Sequence, residues 1–309
     1  MQGSLQNATA LVTGAAGFVG CHLVEELVET NTVIAFDHFR SNDRDRVPDE
    51  AIVFEGDVRD EAALREAMTG VDVVFHLAAT SGDEATRSNP RASHATTVGS
   101  TLTVLELARE LDVRVVVATS AALYGDGQSD PVSESGPTAP VTLYGEQELL
   151  RDHYTRLWCE RYDVETVALR YFNIFGPDAT DDSLCGLLGA FLEQLDDDGA
   201  ITVYGDGSQT RDFVHVSDVV RATMRAATTT HVGEAFNVGS GEAASVGTLA
   251  RLVRDRVDPG AEIVYESDRE VAVQESQADI TNAQERLGYE PTMALEECLS
   301  RMAVHSEVA

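Results

Sequence analysis

Three glycines at positions 14, 17 and 20 constrain this chain more than any other feature in it. They follow a short apolar run, Ala8 to Val12, whose length and composition predict a buried strand. After them, Phe18 to Val28 carries apolar residues at helical spacing. Strand, glycine turn and helix in that order make a cradle for phosphate. Glycine lets the backbone turn tightly and approach a ligand, and the helix start offers N–H groups with a partial positive charge. The string G-x-x-G-x-x-G is weak evidence alone, because glycine turns join many strands to helices. Here both flanks agree, which predicts a dinucleotide site around Gly14, Gly17, Phe18, Val19 and Gly20.

The rest of the composition narrows what such a site can serve. A chain of 309 residues is long enough for one large or two unequal domains with a real core. No segment approaches the roughly 20 apolar residues of a membrane span. The start, MQGSLQNATA, has no basic region followed by an apolar one, so a cytoplasmic location is expected. Cys21, Cys159, Cys185 and Cys298 lie far apart, and His22, His76, His94 and His215 show no ligand spacing. Neither disulfides nor a metal are expected. There are 53 acidic residues against 22 basic ones, a net charge of −31, and every basic residue is arginine. Such a surface repels nucleic acid and anionic membranes. Acid excess without lysine fits adaptation to high salt, where screening relieves self-repulsion. Deliberate removal of lysine would leave the same composition, and both explanations stay open.

Strands and helices then alternate. Thr32 to Asp37 reads as a second strand, and Asp37 lies 17 residues beyond Gly20. A carboxylate at about that distance meets the adenosine ribose 2′-hydroxyl and repels a 2′-phosphate, which favours NAD over NADP. Arg40 nearby weakens that preference, since arginine accepts phosphate. A strand at Ala51–Phe54 leads through Gly56-Asp57-Val58 to a helix from about Asp60 to Met68. Val71 to Leu77 is a buried parallel strand by length, opening into the small residues Ala78 and Ala79. A polar loop over Ser81–Arg91, a long helix through Leu111, and strands at Val113–Ala118 and Thr166–Leu169 follow. The class is α/β, a Rossmann-type doubly wound parallel sheet over residues 1–176, with segments near 212–241 returning to it. Residues 177–309 read as a smaller substrate-binding α/β domain. In it, helices are expected near Leu184–Leu195, Ser217–Ala226, Val246–Arg256 and Met293–Met302, and Asp196–Gly199 reads as a surface loop.

Nine stretches, taken in order, resemble one family. They are VTGAAGFVG at Val12, GDVRD at Gly56, FHLAA at Phe75, TSAALYG at Thr119, YGEQELL at Tyr144, LRYFNIFGP at Leu169, YGDGSQTRDFVHVSD at Tyr204, FNVGSG at Phe236 and ADITNAQERLGYEP at Ala278. The pattern is similar to the extended short-chain dehydrogenases/reductases, specifically the NAD-dependent nucleotide-sugar epimerase and dehydratase group, with the UDP-glucose 4-epimerases the most similar branch. The resemblance implies NAD as cofactor, a nucleotide-diphosphate sugar (a UDP-sugar foremost) as substrate, and epimerisation at C4 by transient hydride transfer. It implies Tyr144 as the catalytic tyrosine and Ser120 as its hydroxyl partner. Cofactor contacts are implied for the glycine turn and for Asp37, His38, Arg40, Ser41, Asp57, Val58, Leu77, Ala78, Ala79, Tyr144, Glu148 and Phe172. Substrate contacts are implied for Ser120, Tyr144, Asn173, Arg211 and Arg269, and a homodimer through the helices near Ala92–Leu111 and Gly145–Tyr162.

The chain departs from family patterns at four positions. Family dehydratases and decarboxylases carry a glutamate where this chain has Ala122, which favours epimerisation or simple binding. Thr97 and Ala272 stand where the family has an asparagine and an aspartate. Most consequential, the family string Y-x-x-x-K reads Tyr144…Glu148 here. The lysine lowers the tyrosine pKa and holds the nicotinamide ribose. A glutamate can accept bonds from ribose hydroxyls but raises the phenol pKa, leaving a slow or silent binding protein as the alternative, beside a different NAD-dependent sugar oxidoreductase. Arg151, three residues after Glu148, shares its helical face. A solvated surface ion pair is the favoured reading of those two; the other is a guanidinium that offsets the Glu148 charge.

Overall fold

The computed structural model describes residues 5–40, 43–126, 131–177, 186–267 and 273–298. Its strands are β1 (Thr9–Thr13), β2 (Thr32–Asp37), β3 (Ile52–Glu55), β4 (Val73–His76), β5 (Arg114–Ser120), β6 (Thr166–Tyr171), β7 (Asn173–Phe175), β8 (Ala200–Tyr204), β9 (Thr210–His215), β10 (Glu234–Val238), β11 (Ala243–Ser245) and β12 (Glu262–Glu266). Its helices are α1 (Phe18–Val28), α2 (Glu61–Met68), α3 (Asp83–Ser88), α4 (Pro90–His94), α5 (Ser100–Leu111), α6 (Leu143–Tyr162), α7 (Gly186–Asp198), α8 (Val216–Ala226), α9 (Val246–Val257) and α10 (Thr281–Leu287).

Seven of the strands lie parallel in the order β10-β6-β5-β4-β1-β2-β3. Because successive side chains point to opposite faces, each central strand feeds two cores at once. Ala10, Val12, Val73, Phe75 and Val116 face one core with α1, α8 and α10. Leu11, Val74, Val115 and Val117 face the other, with α2 and α5. This two-sided burial is why the strands read as continuous apolar runs. The order reverses between β1 and β4, so the chain leaves those two strands in opposite directions and opens a crevice at their carboxyl ends.

A smaller layer surrounds a third core of Phe175, Phe191, Ile201, Val203, Leu249 and Val253. It holds the sheet β11-β9-β7 and the pair β12-β8. After β9 the chain returns to the large sheet: α8 packs on α1, and β10 pairs with β6.

Two expected loops are helical. Ser81–Arg91 contains α3 and the first two residues of α4, a helix started by the Asn89 side chain accepting from Ala92 N and by Pro90 in the first turn. Asp196, Asp197 and Asp198 belong to the last turn of α7, which stops at Gly199 with φ +64°. Acidic residues at a helix C-terminus oppose its dipole, so the local sequence favours a loop. The helix is held by its apolar side, Leu188, Phe191 and Leu195, in the third core. Of the helix expected at Met293–Met302, residues 295–298 are helical and the remainder lies outside the described residues.

Candidate active site

A cavity of about 680 Å³ occupies the crevice. Gly14, Gly17, Phe18, Val19 and Gly20 form one part of its wall. The glycines are there for space. Gly14 has φ +70°, and a Cβ on it would stand 3.0 Å from the Ala78 backbone; a Cβ on Gly20 would stand 2.0 Å from the Gly14 carbonyl. No side chain caps the start of α1, so its first N–H groups are available to an anion. A bare helix start against a glycine-lined wall fits a dinucleotide diphosphate.

Asp37 ends β2 on this wall, 8% exposed, its carboxylate accepting from Ala16 N at 3.1 Å and Phe39 N at 3.0 Å. His38 lies beside it, Nδ1 3.4 Å from Asp37 Oδ1, and Arg40 lines the same end. Asp57 is held there by Arg59, whose Nε donates to Oδ1 at 2.8 Å; that hydrogen bond keeps the Asp57 carboxyl at about 2. Val58, Leu77, Ala78, Ala79 and Phe172 complete this part. Ser41 lies outside the described residues.

Ser120 and Tyr144 stand further along the same cavity. Ser120 closes β5, and its Oγ accepts from Ala122 N at 3.2 Å. Tyr144 is in the first turn of α6, which the Thr142 side chain caps by accepting from Gly145 N at 3.0 Å. Gly145 lets the two turns close on each other: a Cβ there would be 2.5 Å from the Ala122 carbonyl. Burial pushes the Tyr144 phenol well above its usual range; Glu148 pushes the same way, while Ser120 and Arg151 act against them.

The Glu148–Arg151 pair is not a solvated surface pair. Both side chains are 2% exposed and both residues line the cavity. Arg151 Nη1 donates to the two Glu148 oxygens at 3.2 and 3.3 Å, Nε to Thr101 Oγ1 at 3.2 Å and Nη2 to the His76 carbonyl at 3.4 Å. Burial raises the Glu148 pKa and Arg151 pulls it back. An i,i+3 pair reads alike on either side of a helix, and here that side faces the protein.

Asn173 lines the cavity, with its Nδ2 donating to the Asp212 carbonyl at 3.1 Å. Arg211 is not on that wall. It is half-buried on β9, donating to the Thr210 carbonyl at 2.7 Å, and among the described residues no carboxylate lies within ion-pair distance of it. Burial lowers its pKa. Arg269 and Ala272 lie outside the described residues. Thr97 sits in a π-helical turn, Ala95–Gly99, and accepts from Thr80 N at 3.0 Å.

Sequence reasoning missed Arg59, Thr119, Tyr171 and Phe213, all on the cavity wall. Arg59 was legible inside GDVRD, two residues from Asp57. Phe213 carries no local signal, since β9 reaches the cavity only through its pairing with β7.

The profile of the family described as "NAD dependent epimerase/dehydratase family" matches residues 10–239. A putative UDP-glucose 4-epimerase of Methanocaldococcus jannaschii is 32% identical over 297 residues, covering 94% of this chain and 96% of that one. UDP-glucuronic acid decarboxylase 2 of Arabidopsis thaliana is also 32% identical, over 94% of this chain and 66% of that one. Among solved structures, UDP-glucose 4-epimerase of Thermotoga maritima with UDP-glucose superposes with a TM-score of 0.92 at 29% identity, over 97% of this chain and 99% of that one. With the glycine turn, the strand order and the cavity in agreement, this chain belongs to the NAD-dependent epimerase/dehydratase family.

Proposed function

We propose that this protein interconverts the C4 epimers of a UDP-sugar of the UDP-glucose and UDP-galactose kind. The observation that carries the reading is that one cavity joins the glycine turn to Ser120 and Tyr144. NAD, when bound, supplies a hydride acceptor that later returns the hydride. The glycine turn and α1 start would hold its diphosphate, Asp37 its adenosine ribose, and Glu148 the second ribose. Tyr144 as phenolate takes the proton of the C4 hydroxyl, and Ser120 hydrogen-bonds the same oxygen. Arg211, a half-buried guanidinium with no ion pair among the described residues, supports a contact to the sugar-nucleotide diphosphate, with Asn173 and Arg269 as the other proposed contacts. Ala122 supplies no acid for eliminating water, which favours epimerisation over dehydration although decarboxylase and epimerase relatives are equally identical.

Incubation with NAD and UDP-glucose in molar salt, following UDP-galactose, tests this. Net NADH release would instead identify an oxidoreductase. Glu148 supports a second reading, a slow or silent binding protein, because its charge adds to burial in raising the Tyr144 phenol above its usual range. Saturable binding of NAD and UDP-glucose without turnover would select it. We also propose a homodimer through α5 and α6. The row Tyr154–Trp158–Tyr162 on α6, ring centres 5.9 and 5.2 Å apart, with Arg109 of α5 over Tyr162, supports that face. Light scattering would read the mass. No helix among the described residues is long and apolar enough to cross a membrane.

A further inference from the structure

We infer that Arg151 supplies the positive charge that favours loss of the Tyr144 proton, held in place by Glu148, so that two residues divide the work of one lysine. The inference rests on the reading of Tyr144 as proton acceptor given above. Three arginines line the cavity, and two of them, Arg40 and Arg59, stand with Asp37 and Asp57 at the far end. The third, Arg151, shares the α6 face with Tyr144 and Glu148. Its guanidinium is fixed from three sides, by Glu148, by Thr101 on α5 and by the His76 carbonyl at the end of β4. Its side chain is 2% exposed, so its charge is less screened than one at the surface.

The other titratable groups packed around it are already committed. Asp152 on α6 is engaged by Arg170, Nε to Oδ1 at 2.8 Å. His76 is kept neutral by burial, reinforced by Arg151 itself, and hydrogen-bonds Thr13 at 2.8 Å. Tyr171 on β6 is bonded to Thr223 at 2.7 Å. What remains is a balance between one anion and one cation over Tyr144. A guanidinium keeps its charge at all accessible pH values, so only Tyr144 and Glu148 can shape the pH profile. The same geometry warns against the obvious repair. Glu148→Lys would bury a second cation against Arg151, and the informative change is Glu148→Gln, which removes the charge and keeps an acceptor.

The test compares wild type, Glu148→Gln, Glu148→Gln with Arg151→Gln, and Glu148→Gln with Arg151→Lys, each NAD-loaded. Turnover of UDP-glucose is followed against pH. Ionisation of Tyr144 is followed separately by tyrosinate ultraviolet absorbance, subtracting the matching Tyr144→Phe protein. For Glu148→Gln, the acidic limb of kcat should move down by about one pH unit or more, and kcat at neutral pH should rise about tenfold. Adding Arg151→Gln should cancel both changes; adding Arg151→Lys should keep them. Equal limbs and equal tyrosinate titrations with and without Arg151→Gln would overturn the inference, as would a lysine variant that behaves like the glutamine one. If no variant turns over the sugar, the proposed reaction fails, and the tyrosinate titration alone still decides the role of Arg151.

Discussion

Tyr144 stands in a wall that resists its ionisation. Burial first, then Glu148, raise its phenol above the usual range, while the proposed reaction needs the phenolate. The sign follows directly: below the phenol pKa, each unit of pH multiplies the phenolate fraction about tenfold. Activity with UDP-glucose should therefore climb steadily from neutral into alkaline pH, and a flat profile across that range would contradict phenolate as the acting form. Tyr144→Phe should lower kcat about 10²–10⁴-fold, the usual yield of a positioned acid–base group, with NAD affinity by calorimetry nearly unchanged. At this scale, which residues line the cavity was partly legible, and their surroundings were not. Tyr144, Ser120 and Asp37 could be named from motifs. The burial of Arg151 could not, because its partners Thr101 and His76 come from other elements.

Among the elements, α6 shows why amphipathic patterning has limits. Its protein-facing side is polar: Gln147, Glu148, Arg151, Asp152 and Thr155 are all buried. Gln147, Arg151 and Asp152 are satisfied by partners on other elements, while Glu148 and Thr155 pair within the helix, with the Arg151 guanidinium and carbonyl. Ser93 donates to Gln147 at 2.8 Å, and Asp152 takes both Nε and Nη2 of Arg170 on β6, at 2.8 and 2.9 Å. Arg170 also reaches Tyr124, which hydrogen-bonds Asn237 of β10. Asp152→Asn should leave Arg170 as a buried, poorly paired cation and cost about 3–5 kcal/mol in urea unfolding; a loss under 1 kcal/mol would show that the pair is dispensable. The first strand, turn and helix, by contrast, were readable from periodicity and glycine spacing alone, since their constraint is local. Gly20→Ala places its methyl against the Gly14 carbonyl. It should weaken NAD binding at least about tenfold, a loss of about 1.4 kcal/mol or more, while UDP-glucose binding at the Ser120 end changes less.

For the molecule as a whole, the controlling quantity is a net charge of −31. Fifteen ion pairs, three of them involving histidine, are present among the described residues. They cannot neutralise 53 acids with 22 arginines, so the folded state carries a large self-repulsion at low ionic strength. Salt at about 1 M shortens the Debye length to about 3 Å, and the thermal midpoint should rise by about 2–4 °C for each kcal/mol of repulsion relieved. A midpoint that does not move between dilute buffer and molar sodium chloride would remove the case for salt adaptation. The sheet carries a further consequence, for synthesis. Strand β6, buried along its whole length, waits for its outer neighbour until residues 234–238 have been made, while the chain builds most of the smaller layer in between. A nascent chain thus spends that interval with an apolar strand edge unpaired, the kind of edge that recruits other chains. For the same reason, the residues up to Pro177 are not a separable nucleotide-binding unit: cut there, the spine of the protein would lack its last strand and aggregate.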